Sequence, residues 1–344
     1  MFAEITYWFR VFLLFAFDIN LQVAIFTELE APSIAKRETS LTSFNNTSEI
    51  RHAITEFLQH CNLPFPVTNY DTDFHDACCR EARRKGYPMD STYPGCTSLY
   101  PFIPGGVVMA TTAYSHLHKQ DARIFIALYT AFLIYLDDIF QKDVGLVSEF
   151  NERFIHKRAQ LDPVLDSFAD LLYELPQHFG RVVSNIMVTS TLNLVTALLL
   201  EHETQDMTLS PYAHGYTTFS RVMSGASEVY ALFAFPTDIP LQGYIQALHD
   251  MTMFINNGND ILSFYKEDLA GENVNRISNL ANCFGTSKLE VLRRLSEDAS
   301  TYHSQVMQIL EPCPAAFEAY SHFSKGYIGF HASLSRYRLG ELFG

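Results

Sequence analysis

Charge is scarce in this chain. Of its 344 residues only 18% are charged, against about 25% in an ordinary soluble protein. Basic side chains are the scarcer sign, 24 Lys and Arg against 38 Asp and Glu, for a formal net charge of -14. So few cations exclude a nucleic-acid binder, which gathers Lys and Arg on phosphate. An anionic substrate is admitted only where metal cations or a few placed basic residues offset the repulsion. Cysteine is sparse too: Cys61, Cys78, Cys79, Cys96, Cys283 and Cys313 form no Cys-x-x-Cys pair. Their number and spacing read as reduced, mostly buried thiols in a cytoplasmic protein. Tryptophan occurs once, yet 28 Phe and 18 Tyr raise the aromatic share to 14% and the hydrophobic share to 48%. That surplus excludes a disordered chain. Also missing are an alternating strand pattern of useful length, an internal repeat and a low-complexity tract.

A long uncharged apolar run is absent as well. The apolar stretch 7–26 contains Arg10 and Asp18, whereas a membrane-spanning helix needs about 20 largely uncharged residues. Glu4 offsets Arg10 where a secretory signal wants a positive start. The stretch reads as a docked amphipathic segment, so membrane contact is disfavoured. A polar connector over 31–47 completes an N-terminal unit, 1–47. From Ser48 the pattern is helical almost throughout, beginning with Ile50, Ile54, Phe57 and Leu58 at helical spacing. Residues 86–106 hold Pro88, Pro94, Pro101 and Pro104 and read as an irregular loop. Helices are predicted over 107–117, 121–140, 145–174, 179–203, 211–233, 241–268, 287–311 and 315–342. The second of these is nearly all apolar and belongs inside a bundle. The fold class is all-α, a single domain over 48–344.

Two acidic motifs carry the chemistry. On the helix 121–140, Ile126, Thr130, Leu133 and Ile134 lie within about 60° of Asp137. An apolar face thus leads to the pair Asp137-Asp138, and a buried carboxylate is costly unless it is paired or binds metal. By itself, an Asp-Asp pair fits a solvated helix end as well. Further on, Asn259, Ser263 and Glu267 fall at i, i+4 and i+8, within about 80° of one another over about 12 Å of rise. An amide oxygen, a hydroxyl and a carboxylate are hard oxygen ligands of the kind that suits Mg²⁺. Lys266 shares that face and can meet a phosphate oxygen, while Asp260 points elsewhere and supports its neighbours. Met251, Met253, Phe254 and Ile255 just upstream mark a buried helix rather than a solvated polar face.

This combination resembles the class I terpene cyclases, of the fungal trichodiene synthase type. The likeness runs over roughly residues 50–342. It rests on Asp137-Asp138, on Asn259-Asp260-x-x-Ser263-x-x-Lys266-Glu267, and on Gly326-Tyr327 leading into Arg336-Tyr337-Arg338-Leu339. The resemblance implies an α-helical bundle around a central active-site cavity. It also implies a sesquiterpene synthase of fungal secondary metabolism that ionises and cyclises farnesyl diphosphate with three Mg²⁺ ions. Under it Asp137 is the first metal ligand, with Asp138 and Asp143 as further candidates, and Asn259, Ser263 and Glu267 form the second metal site. Arg221 senses the diphosphate. Gly225 marks a helix break whose carbonyl faces the ionising carbon. Arg336, Tyr337 and Lys266 hold the diphosphate. The family also admits a homodimer. One departure is Gln141, where the family often has an acid; Asp143 either replaces it or faces solvent.

Leu133, Phe323 and Phe330 are candidates for the cavity wall, the last two recurring with Tyr337 at seven-residue spacing along the final helix. Such a stripe serves equally as core packing. Two other functions stay open: a chain-elongating prenyltransferase, disfavoured because it would carry a second Asp-Asp-x-x-Asp motif, and a non-catalytic diphosphate- or protein-binding helical module.

Overall fold

The computed structural model describes residues 35–90, 97–273 and 275–344, with side chains from residue 46 onward. The apolar segment 7–26 and Cys96 lie outside the described residues. Fifteen α-helices succeed one another among them: α1 (Ala35–His60), α2 (Thr72–Arg84), α3 (Ile103–Thr112), α4 (Gln120–Lys142) and α5 (Val144–Ser148) come first. Next are α6 (Phe150–Ile155), α7 (Pro163–Phe179), α8 (Arg181–Glu203), α9 (His214–Ser224) and α10 (Ser227–Phe233). The last are α11 (Leu248–Leu269), α12 (Arg276–Phe284), α13 (Lys288–Leu310), α14 (Pro314–Ser333) and α15 (Gly340–Phe343). No strand occurs among the described residues, so the fold class is all-α.

Two helices organise the bundle. From Phe125 to Asp137 every residue of α4 is buried, because α3, α7 and α2 pack around it. Helix α11 is covered by α13, α10, α1 and a 3₁₀ turn at Ser335–Tyr337. Side chains set several helix starts. Asp162 caps α7 by accepting from Val164 N and Leu165 N, with Pro163 at the first helical position. Ser287 caps α13 through Glu290 N, and Asn275 caps α12 through Ser278 N. Gly326 lets α14 cross α3 closely, since a Cβ there would sit 2.1 Å from the Thr112 carbonyl oxygen. Helices α4 and α8 are each long and apolar enough to cross a membrane; for α4 that composition is accounted for by its central place in the core.

Several expected elements are corrected. The connector 31–47 is helical from Ala35, because no Pro or Gly separates that polar stretch from the amphipathic turns of α1. The helix expected over 145–174 is three: α5, α6 and the start of α7. Glu149 leaves the helical conformation between α5 and α6, and Asp162 turns the backbone to an extended conformation before α7 and caps it; Asp143 does the same between α4 and α5. The helix expected over 211–233 stops at Ser224 and resumes at Ser227. Residues 241–247 wind as two 3₁₀ turns, and α12 lies in a stretch where no helix was expected. The end of the loop 86–106 already belongs to α3. The final helix ends at Ser333, Leu334 is extended, and Tyr337 lies on the next 3₁₀ turn rather than on α14.

Candidate active site

Helix α4 delivers one carboxylate to the interior. Asp137 is only 6% exposed, and its Oδ2 is buried with no hydrogen-bond partner. Burial pushes its carboxyl up to about 7; Arg336 draws it back down, Asp138 raises it, and Lys266 lowers it. Its two acidic neighbours are otherwise engaged. Asp138 is half-buried and paired with Lys142 one turn on. Asp143 is exposed and accepts from Gly145 N at 3.0 Å as the cap of α5. A second interior carboxylate was not foreseen: Glu201, in the last turn of α8. Burial pushes it up to about 7, the Asp137 charge adds to the rise, and Arg221 opposes it. Its sequence signal matches that of Asp137, an apolar helix running into an acid.

Helix α11 supplies the facing set. Ser263 and Glu267 are both buried, one turn apart on it. Burial raises the Glu267 carboxyl, with the Lys266 ammonium opposing it from 4.0 Å. Burial, and then the Arg336 charge, lower Lys266 to about 8. The Lys266 ammonium lies 5.7 Å from the centre of the Tyr337 ring, and the Arg336 guanidinium 4.8 Å from it. The turn carrying Arg336 and Tyr337 therefore closes against α11 beside the acidic set.

Arg221 is anchored rather than free. Its Nε donates to Asp260 Oδ1 at 2.7 Å, and its Nη2 donates to the Asn256 carbonyl at 3.1 Å and to Asn259 Oδ1 at 3.3 Å. The other Asp260 oxygen holds Arg276, whose Nη1 also donates to Asn257 Oδ1. Asp260 thus supports its neighbours, as its position on the helix implied. Arg276, an isolated residue without a periodic signal, was not read from sequence.

The break between α9 and α10 has a structural cause. Gly225 keeps a helical conformation and Ala226 is left-handed, at φ 43°. A Cβ on Gly225 would fall 2.2 Å from Ser227 Oγ and 2.3 Å from Asn256 Oδ1, so only glycine fits this turn.

The three cavity candidates are all buried, Leu133 at 1%, Phe323 at 0% and Phe330 at 2% exposure, and Phe323 packs against Tyr114, Tyr320 and Tyr327. Leu133 lies one turn before Asp137, and Phe330 meets Tyr337 with ring centres 6.1 Å apart.

Among the described residues no three His, Cys, Asp or Glu side chains gather as a ready metal cluster. The donor set is mixed: a buried, unpartnered Asp137 oxygen on one helix, and an amide, a hydroxyl and a carboxylate on another, with Lys266 and Arg336 beside them. Hard oxygens with adjoining cations fit a divalent metal bound together with an anionic ligand, the metal offsetting the buried carboxylates and the cations meeting the anion.

Residues 102–344 match the family model described as Trichodiene synthase (TRI5). The alpha-cuprenene synthase COP6 of Coprinopsis cinerea is 40% identical over 301 residues, covering 88% of this chain and 92% of the relative. Monoterpene synthase 25 of Postia placenta is 30% identical over 85% of this chain and 86% of its own length. Among solved structures, linalool/nerolidol synthase from Streptomyces clavuligerus in complex with 2-fluorogeranyl diphosphate superposes with a TM-score of 0.53. It is 13% identical and covers 82% of this chain and 97% of that one, a likeness of fold.

Proposed function

We propose a reaction from one premise: this chain belongs to the trichodiene synthase family and is a terpene cyclase. The reaction is the Mg²⁺-dependent ionisation of farnesyl diphosphate and cyclisation of the resulting cation to a C15 terpene, with release of diphosphate. The observation that carries it is Asp137: a buried carboxylate oxygen without a partner, facing the Lys266 and Arg336 charges. A protein interior tolerates that arrangement when a cation and an anion bind together there.

Asp137 on one side, and Asn259, Ser263 and Glu267 on the other, would hold the Mg²⁺ ions. When bound, these supply Lewis-acid polarisation of the diphosphate oxygens. Arg221, Lys266 and Arg336 donate to the diphosphate, and Tyr337 orients the last two cations against it. As the C–O bond breaks heterolytically, its electron pair leaves with the diphosphate, where donors already aimed at the developing charge stabilise it most. The carbonyl at the Gly225 break faces the carbon that becomes cationic. Leu133, Phe330 and the apolar face of α4 keep water from the cation until ring closure. Aromatic faces such as Tyr337 contribute about 0.5–2 kcal/mol each to a nearby cation. Loss of a proton, or capture of one water, ends the sequence.

The name of the alpha-cuprenene synthase relative and the diphosphate bound in the linalool/nerolidol synthase support a prenyl diphosphate as substrate class. We place the catalytic unit at 48–344. The buried thiols of Cys61, Cys78, Cys79 and Cys283, none of them in a disulfide, support a cytoplasmic setting. Incubation with farnesyl diphosphate and Mg²⁺, followed by gas chromatography–mass spectrometry, tests the reading. A cyclic C15 product supports it. A longer prenyl diphosphate would mean chain elongation, and no turnover of farnesyl or geranyl diphosphate would contradict it.

A further inference from the structure

A metal-binding asparagine must present its amide oxygen, and an amide can turn over. The surroundings of Asn259 decide which way it faces. On α14, His331 is fully buried, and its Nδ1 lies 2.9 Å from the Tyr327 carbonyl oxygen. A carbonyl only accepts, so Nδ1 carries the proton. In the neutral ring Nε2 is then a bare acceptor, and it lies 3.3 Å from Asn259 Nδ2. Across the amide, Arg221 Nη2, which can only donate, lies 3.3 Å from Asn259 Oδ1. Turning the amide over would set NH₂ against guanidinium and oxygen against a bare ring nitrogen, so both sides forbid it.

We propose that His331 is a positioning residue that fixes the Asn259 amide with its oxygen directed to the metal and its NH₂ group tied down. The proposal rests on the reading of Asn259 as a metal ligand. Partners that orient a ligand in this way are commonly worth about 10–100-fold in metal affinity. His331 lies 72 positions from Asn259 in the chain, so no local spacing links the two. The backbone bond to Tyr327 is what makes a histidine suited to the place: it sets the tautomer, and with it the acceptor.

The test reads metal directly. Mn²⁺ is titrated into the full-length protein with inorganic diphosphate present and followed by electron paramagnetic resonance, for wild type, His331→Leu and His331→Gln. Leu keeps the bulk and removes the acceptor; Gln places an oxygen near the lost Nε2. The expected result is affinity lowered roughly 10–100-fold in His331→Leu and largely restored in His331→Gln. Equal affinity in wild type and His331→Leu, or a Gln variant as weak as Leu, overturns the role of His331 and leaves the reaction standing. A wild type that binds no Mn²⁺ with diphosphate overturns the metal reading and this inference together. Should the Leu variant not fold, ¹⁵N-histidine spectra of the wild type decide, with His331 assigned from the Gln variant. An Nδ1-protonated ring is expected, and an Nε2-protonated ring would overturn the proposal.

Discussion

Arg221 and Asp260 form a buried ion pair at 2.7 Å, and the same carboxylate holds Arg276 at 2.8 Å through its second oxygen. One anion thereby supports two guanidinium groups, joining α9, α11 and α12 behind the site. Replacing it should expose how much of the site depends on that junction. Asp260→Asn leaves two buried cations facing a neutral amide, and breaking buried pairs costs about 3–5 kcal/mol. Denaturant midpoints should fall accordingly, and turnover should fall further than stability because Arg221 loses its orientation. A variant as stable and as active as wild type would show that Asp260 is not the support.

Gly225→Ala introduces a Cβ into a space already occupied by Ser227 Oγ and Asn256 Oδ1. Overpacking of this kind costs about 1–3 kcal/mol. If the carbonyl at the break acts on substrate, the loss of turnover should exceed anything that such a stability change produces at 25 °C. Thermal melts alongside steady-state rates separate the two effects.

The three acids at the end of α4 should rank by their surroundings. Asp137→Ala removes the interior carboxylate and should abolish turnover. Asp143→Ala removes the cap on α5, a loss of about 0.5–2 kcal/mol in stability, with activity mostly kept. Asp138→Ala breaks a half-exposed pair with Lys142 and should fall between the two. Rate measurements at saturating Mg²⁺ check the order, and a larger loss at Asp143 than at Asp137 would mean that the motif is engaged in a shifted register.

His303 offers a pH test away from the site. It is buried, its Nδ1 lies 2.9 Å from the Tyr320 hydroxyl, and burial lowers it to about 4 from an ordinary 6.5. Between these values the unfolded chain holds the proton and the folded chain does not. The neutral ring's contribution is therefore full above pH 6.5 and is lost as pH falls through about 4. The melting temperature should drop more steeply over that window for wild type than for His303→Gln. Parallel pH profiles would contradict the assignment.

Distance along the chain decides how much of this was legible in the sequence. Asn259, Ser263 and Glu267 share one helix face because helical period is a local property, and Asp137 stands out because an apolar run leads into it. Arg221 and Arg336 carried no signal of their own and entered only through the resemblance. Arg276 and His331 went unread because their partners come from other helices, so spacing says nothing about them, whereas Glu201 carried the same apolar run as Asp137 and was passed over for want of a second acid beside it. Helix ends were less legible for a related reason: the sequence left Asp143 between a replacement acid and a solvent-facing side chain, and in the structure its backbone turns out of α4 while its exposed side chain caps the next helix. Phe323 recurs with Phe330 by period, but its neighbour Tyr114, from beyond the end of α3, packs on it together with Tyr320 and Tyr327 of its own helix, and a contact across helices is not visible in a period.

Asp137 and the oxygen ladder of α11 are proposed to support metal-dependent ionisation of farnesyl diphosphate together. Release of inorganic diphosphate from that substrate measures it most directly, for wild type with and without Mg²⁺ and for Asn259→Ala and Glu267→Ala. Wild type is expected to release diphosphate only with Mg²⁺, and neither variant is expected to release any above background. Release by both variants at the wild-type rate would contradict that proposal.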